Sequence, residues 1–292
     1  MSQTISFTKM QGAGNDFVML DGITQTIDPT PAFIRYLADR RFGIGADQVL
    51  LVERSERRDV DFRYRIFNCD GGEVEQCGNG ARCFAVFVRE AGLTEKRTIR
   101  VETMKTIIEP HVEADGRVTV DMGEPRFDAE ALPFVPDGLA MKRIGSAEAY
   151  CAELSTGEAW FSTVSMGNPH AVFCVQDAQT ASVETTGPVV EHHPAFPARV
   201  NVGFLEPVDR RHGRLRVWER GAGETLACGT GACAAAVVGI RQGHFDDEVT
   251  LTARGGTLTI RWEGMHQPGS HVFLTGPAVT VFTGTIVIPE AL

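Results

Sequence analysis

Two cysteines 151 residues apart sit in nearly the same local sequence. Cys77 lies in Gln76-Cys77-Gly78-Asn79-Gly80-Ala81 and Cys228 in Ala227-Cys228-Gly229-Thr230-Gly231-Ala232. Each is followed by an apolar run, Ala81 to Val88 and Ala232 to Ile240, so each Cys-Gly-x-Gly is expected to open a helix, ending near Gly92 and Gly243. A helix N-terminus presents unpaired N–H groups and a partial positive charge. A thiol there is expected to fall below its usual pKa of about 8.5. The same N–H groups bind carboxylates, and the glycines let a ligand approach the backbone closely. With the two copies face to face, one thiolate takes the α-proton of a small carboxylic acid while the opposite thiol protonates the other face. The stereocentre inverts, and the negative charge spreads into the held carboxylate with no cofactor.

Other residues fit an amino-acid ligand. Asn15, Asn68, Asn79, Asn168 and Asn201, with Gln48, fall in or beside turn segments where they can bond an ammonium or a carboxylate. Glu219-Arg220 precedes Cys228 at the end of an expected strand and offers both charges. His170, in Asn168-Pro169-His170, is expected to tune one thiol and Glu219 the other. The remaining cysteines read differently. Cys83, Cys151, Cys174 and Cys233 are expected to be small buried hydrophobes, and Cys69 to be structural. No C-x-x-C pair marks a zinc ribbon or a redox pair, and without Gly-Lys-Ser/Thr the glycine loops are not phosphate loops.

The elements that carry these residues occur twice. Laying Phe67–Ala81 on Trp218–Ala232 aligns Gly72 with Gly223, Glu73 with Glu224, Cys77 with Cys228, Gly78 with Gly229, Gly80 with Gly231 and Ala81 with Ala232. At the nearby offset of 153, Gly14-Asn15 falls on Gly167-Asn168 and the run at 48–53 on that at 201–206. Short β-prone runs at 48–53, 62–68, 98–102 and 117–122 are expected strands of the first copy. In the second they fall at 171–175, 200–206, 213–219, 250–253 and 257–262. The helix after Cys228 is apolar all round and that after Cys77 nearly so, which requires burial. The expected fold is α/β (α+β): two pseudo-symmetric domains, each a mixed, largely antiparallel sheet wrapped around a central buried helix. Prolines in Asp121–Pro136 suggest the linker. The domains are then 1–125, joined by a last strand from about 277–292, and 126–276.

Composition narrows the partners. The 292 residues carry 28 Lys plus Arg against 38 Asp plus Glu, a net charge of −10, which argues against nucleic acid. Seven cysteines leave at least one thiol unpaired, and no apolar stretch matches a membrane span or signal peptide, so a cytoplasmic location is expected.

Lys9-Met10-Gln11-Gly12-Ala13-Gly14-Asn15-Asp16-Phe17, the 68–82 segment, Met166-Gly167-Asn168-Pro169-His170 and the 219–231 segment together resemble the diaminopimelate epimerase family over nearly the whole chain. The resemblance implies interconversion of LL- and meso-diaminopimelate, a precursor of lysine and cell wall, without pyridoxal phosphate or metal. It implies two similar α/β domains around central helices, and it allows a homodimer. Carried over by motif, Cys77 deprotonates the LL isomer and Cys228 the meso isomer. Gly78, Asn79, Gly229 and Thr230 cradle the reacting carboxylate. Asn68, Asn201 and Arg220 read the distal end, and Asn15, Gln48, Asn168 and Glu219 complete the pocket. Gly72 stands where the family more often has serine. The rival readings are a proline racemase-like or phenazine-type isomerase, a non-catalytic amino-acid binder, and a thiol redox sensor using Cys77 and Cys228.

Overall fold

A computed structural model describes residues 3–74, 78–154 and 157–290 of the chain. They divide into one unit of Met1–Val120 with Gly276–Leu292 and a second of Asp121–Thr275. The first begins with β1 (Gln3–Gly12), β2 (Asn15–Asp21), α1 (Pro31–Ala38), β3 (Gln48–Glu53), β4 (Phe62–Asn68), β5 (Glu73–Val74) and α2 (Gly78–Glu90). Short strands β6 (Val101–Glu102), β7 (Ile107–Ile108), β8 (His111–Val112) and β9 (Val118–Asp121) follow. The second unit contains β10 (Met141–Ile144), β11 (Ala147–Leu154), β12 (Gly157–Ser165), β13 (Pro169–Cys174), α3 (Val183–Glu191), β14 (Asn201–Pro207), β15 (His212–Glu219) and β16 (Gly223–Thr225). It closes with α4 (Gly229–Arg241), β17 (Glu248–Ala253), β18 (Gly256–Arg261) and β19 (Phe273–Gly276), and β20 (Val279–Ile288) returns to pair with β1.

The first sheet runs β20-β1-β2-β3-β4-β6-β7 with β5 on β4, and the second unit repeats this path as β11-β12-β13-β14-β15-β17-β18 with β16 on β15. The pairing senses repeat as well. β1–β2 and β12–β13 are antiparallel, β2–β3 and β13–β14 parallel, and β3–β4 and β14–β15 antiparallel. Even register is kept, since Phe17 opposes Gln48 as His170 opposes Asn201. A register fixed by period-two burial cannot slip by one residue without turning every core side chain outward, so it persists while sequence identity decays.

A helix threads each sheet. In α4, Ala232, Cys233, Ala234, Ala235 and Ala236 are all buried, and such small side chains let strands approach on every side. Burying an all-apolar helix of this kind removes its whole lateral surface from water, at about 25 cal/mol per Å². α2 is buried likewise but carries one charge inside, the fully buried Arg82. Around α1 the first core gathers Val18, Leu20, Phe33, Ile34, Leu37 and Val49. The second is more aromatic, built on Phe134, Phe161, Phe173, Phe196 and Phe204.

The α/β class and the buried helix of each unit are as the sequence implies. The expected strand at 98–102 shrinks to Val101–Glu102, with Thr98 making only an isolated bridge to His111, and that at 117–122 narrows to Val118–Asp121. α1 and α3 were not expected. α1 has eight residues, and its sequence signal is the Thr30 cap, whose hydroxyl accepts the Phe33 N–H at 3.2 Å, ahead of Pro31 at the first position. α3 contains Gly187 and Pro188, both of which argue against a helix. Gly187 is required there, because a Cβ would stand 2.5 Å from the Trp218 ring. Among the described residues no helix is long and apolar enough to cross a membrane.

Candidate active site

Cys228 is the N-cap of α4, with extended backbone (φ −119°, ψ 119°) and its sulfur accepting the Gly231 N–H at 3.4 Å. Gly231 permits this, because a Cβ there would lie 3.4 Å from the sulfur and 3.2 Å from the Cys228 Cβ. The Thr230 hydroxyl lies 3.5 Å from the same sulfur. Asn168 Nδ2 donates to Thr230 Oγ1 at 3.3 Å, and its Oδ1 faces His170 Nε2 at 3.0 Å. That amide orientation puts a proton on His170 Nε2 and frees the Thr230 hydroxyl hydrogen to point at sulfur. The relay His170–Asn168–Thr230–Cys228 therefore aims successive donors at the thiol.

The charge state of this site differs from the sequence expectation. Burial pushes the Cys228 thiol well above its ordinary value, and the Glu219 carboxylate pushes it further. The Thr230 hydroxyl and the Gly231 N–H pull the other way without prevailing. The helix terminus is outweighed because a thiolate in an apolar enclosure loses its hydration. Cys228 thus rests as a thiol. His170 is buried and, through desolvation and the nearby Arg220 charge, held at a pKa of about 3. It is neutral at physiological pH and joins the thiol through two hydrogen-bonded neighbours.

Glu219 ends β15, and its Oε1 accepts the Thr225 hydroxyl at 2.5 Å. Asn201 is buried, with Oδ1 accepting the Arg220 N–H at 3.0 Å and Nδ2 donating to the Pro169 carbonyl at 3.1 Å. It thereby ties the loop of Asn168 to the turn of Arg220, whose exposed guanidinium donates to the Ala198 carbonyl at 2.9 Å. A residue absent from the sequence reading holds this turn from beneath. The buried Glu191 carboxylate accepts Trp218 Nε1 at 2.7 Å and the Gly221 N–H at 2.9 Å.

In the first unit, Cys77 lies outside the described residues, and α2 begins at Gly78. Asn79 Nδ2 donates to Asn15 Oδ1 at 3.3 Å, the counterpart of the Asn168–Thr230 pair. Asn79 is anchored from inside the helix by Arg82, whose Nη2 donates to its Oδ1 at 2.7 Å while Nε and Nη1 reach the Pro277 and Gly78 carbonyls. Asn15 Nδ2 in turn donates to Asp47 at 3.0 Å. Asp47 belongs to a charge cluster in which Arg40 forks onto Asp16 at 2.8 and 2.9 Å and Lys9 reaches Asp16 at 2.6 Å. Burial opposes ionisation of Asp16, but Arg40 and Lys9 together hold its carboxyl well below the usual range.

Gln48 Nε2 donates to Asn68 Oδ1 at 2.9 Å, and Gln48 Oε1 is a buried acceptor with no hydrogen-bond partner among the described residues, the kind of atom a ligand N–H satisfies. The loop at Gly72 closes without a serine, because the Gly72 N–H meets Asp70 Oδ1 at 2.8 Å and its carbonyl accepts the Asn68 N–H at 2.9 Å. No cluster of metal-ligating side chains occurs among the described residues.

The diaminopimelate epimerase family model matches residues 7–127 and 162–281. The chain belongs to the diaminopimelate epimerase family. The diaminopimelate epimerase of Ralstonia nicotianae is 61% identical over 282 residues, covering 97% of this chain and 96% of that one. That of Paraburkholderia xenovorans is 56% identical over 286 residues, covering 98% and 99%. A phenazine biosynthesis protein of the PhzF family from Bacillus anthracis shares the fold, with a TM-score of 0.70 at 19% identity over 98% of this chain and 100% of that one. So does a hydroxyproline epimerase from Agrobacterium vitis, with a TM-score of 0.64 at 16% identity over 99% and 94%. This chain and these distant enzymes share one fold.

Proposed function

We propose that this protein epimerises LL-2,6-diaminopimelate to the meso isomer by proton transfer between two cysteines. Cys77 takes the α-proton of the LL isomer as thiolate, and the Cys228 thiol protonates the opposite face; meso to LL runs the other way. The observation that carries this reading is the setting of Cys228, a buried helix-capping thiol on which the Thr230 hydroxyl and the Gly231 N–H converge while burial and Glu219 push its pKa up. A residue that must give a proton in one direction and take it in the other needs both influences. The N–H groups of Gly78, Asn79, Gly229 and Thr230 receive the carboxylate into which the carbanion charge spreads. Gln48, Asn68, Asn15, Asn168, Asn201, Glu219 and Arg220 bind the ammonium groups and the distal carboxylate, with the open Gln48 acceptor suited to an ammonium. His170 and Glu219 set the Cys228 thiol, the first through Asn168. The reading needs a small-molecule substrate and neither nucleic acid nor cofactor; a homodimer belongs to it and is checked by light scattering.

Membership of the family favours diaminopimelate over the rival substrates, since relatives that are 56% and 61% identical carry that name. Incubation with LL-diaminopimelate in deuterated water is expected to give meso product labelled at one α-carbon, while proline and hydroxyproline stay unlabelled. Binding of LL-diaminopimelate without exchange would overturn the enzymatic reading in favour of a binder.

A further inference from the structure

Ahead of each cysteine the structure repeats an ion pair whose glutamate alone stood out in the sequence. In the hairpin of β15 and β16, Arg216 Nε meets Glu224 Oε1 at 2.7 Å and Nη2 meets Oε2 at 3.0 Å. In the hairpin of β4 and β5, Arg65 Nε meets Glu73 Oε1 at 2.9 Å and Nη2 meets Oε2 at 2.6 Å. Both are two-pronged forks, at residues 151 apart, on the same register, with Phe67 opposing Glu73 as Trp218 opposes Glu224. A fork fixes orientation as well as distance, which a single lysine contact does not. In sequence the glutamate precedes the cysteine by four residues in both copies.

The second fork is bound into its surroundings on both sides. Arg216 Nη1 donates to the carbonyls of Ala178, Gln179 and Ala181 at 3.2, 3.0 and 3.1 Å, tying the hairpin to the chain before α3. Glu224 Oε1 also takes Arg254 Nη1 at 3.0 Å, and the next residue, Gly255, donates its N–H to the Leu226 carbonyl at 2.9 Å. The turn between β17 and β18 thus holds the segment leading into Cys228. Between fork and cysteine lies Thr225, whose hydroxyl binds Glu219. Glu219 is the charged group acting on the Cys228 sulfur; Thr230 and Gly231 are the neutral ones.

We propose that Arg216–Glu224 is a positioning pair that fixes its hairpin so that Cys228 and Glu219 stand in reactive register, and that Arg65–Glu73 fixes the matching hairpin of the first unit. This rests on the two-cysteine reading above. The full-length Glu224→Gln variant keeps the side-chain shape and breaks the fork. Its kcat for LL-diaminopimelate is expected to fall about 100-fold, the usual effect of an ångström-scale misplacement, with KM within about threefold of wild type. With Glu219 no longer held beside the sulfur, iodoacetamide modification of Cys228, followed by peptide mass spectrometry, is expected to move to lower pH. Modification of the exposed Cys69 is expected to stay as in wild type. Glu73→Gln is expected to lose turnover comparably while leaving the Cys228 alkylation profile where it was.

A folded Glu224→Gln enzyme with wild-type kcat and an unmoved Cys228 profile, altered only in thermal stability, would overturn the proposal. If that variant does not fold, Arg216→Lys, which keeps the charge and loses the fork, must show the same shift, and an unmoved profile there is equally contrary. The alkylation arm needs no substrate. A wild-type protein that fails to epimerise would therefore defeat the proposed function while the profile still decides the positioning role.

Discussion

The two units meet one requirement, holding an amide beside the start of a buried helix, with different chemistry. In the second unit Asn168 reaches Thr230 and is itself held by His170. In the first, Asn79 reaches Asn15 and is held by Arg82 from within α2. At the matching positions the units exchange types: Phe17 stands where the second unit has His170, and Cys233 where the first has Arg82. A guanidinium can be buried there because three acceptors, Asn79 Oδ1 and the Gly78 and Pro277 carbonyls, replace its water. A histidine is tolerated in the second unit because burial and Arg220 keep it neutral. Duplication has preserved backbone and register while each copy found its own way to fix the amide. The first unit also carries a fixed positive charge within its helix, whereas the second has a relay of neutral donors.

Removing the reacting atom gives the largest effect. Cys228→Ala is expected to lower kcat about 1,000-fold or more, as loss of a general acid–base group does, while near-ultraviolet circular dichroism stays unchanged. Turnover within tenfold of wild type would leave no second base to compare. Next comes Arg82→Met, which removes the guanidinium from the buried Asn79 Oδ1 and from the part-buried Gly78 and Pro277 carbonyls. It is expected to cost about 3 kcal/mol in urea unfolding and about tenfold in kcat/KM. Unchanged stability would mean that the buried cation is not what anchors Asn79.

His170→Phe installs the residue of the first unit in the second. It is expected to lower kcat about tenfold, as Asn168 loses its holder. It also has a thermodynamic signature. The ordinary histidine pKa of 6.5 falls to about 3 in the folded chain, so between those values the unfolded state binds more protons. Stability then falls as pH drops from 6.5 toward 3, at up to about 1.4 kcal/mol per pH unit, and the variant should lose that part of the slope. An unaltered slope would mean a histidine already charged. The smallest effect belongs to Glu191→Gln, which loosens the turn of Arg220; KM is expected to rise about threefold with kcat nearly unchanged. A drop in kcat without a change in KM would assign Glu191 to the chemistry.

Much of the candidate site was legible because the sequence repeats. Cys228, Asn168 and Asn201 stood out through their counterparts, and the helices through their apolar runs. What has no counterpart stayed hidden. Arg82 is a lone charge in the apolar run 81–88, with nothing in its spacing to mark a buried anchor, and the Lys9–Asp16–Arg40–Asp47 cluster joins strands and loops that no local pattern connects. The forks were half visible, since Glu73 and Glu224 align in the repeat while Arg65 and Arg216 lie in strands where a charged side chain reads as solvent-facing. The direction of the Cys228 shift is opposite to the one a helix terminus alone implies. The helix terminus is a sequence feature, but the enclosure of the sulfur and the approach of Glu219 are properties of the packed site. α3 escaped because Gly187 and Pro188 argue against it locally, whereas the reason for Gly187, room for the Trp218 ring, is a tertiary contact.

The central claim is that two single-proton thiols act from opposite faces of one carbon. With LL-diaminopimelate in deuterated water, early in the reaction, the account predicts that the meso product carries solvent deuterium at the inverted carbon while unreacted LL substrate stays unlabelled. A thiol that returns a proton to the face it came from returns the one it took. Deuterium entering the recovered LL isomer as fast as it enters the product would contradict the account, because a single exchanging base would then serve both faces.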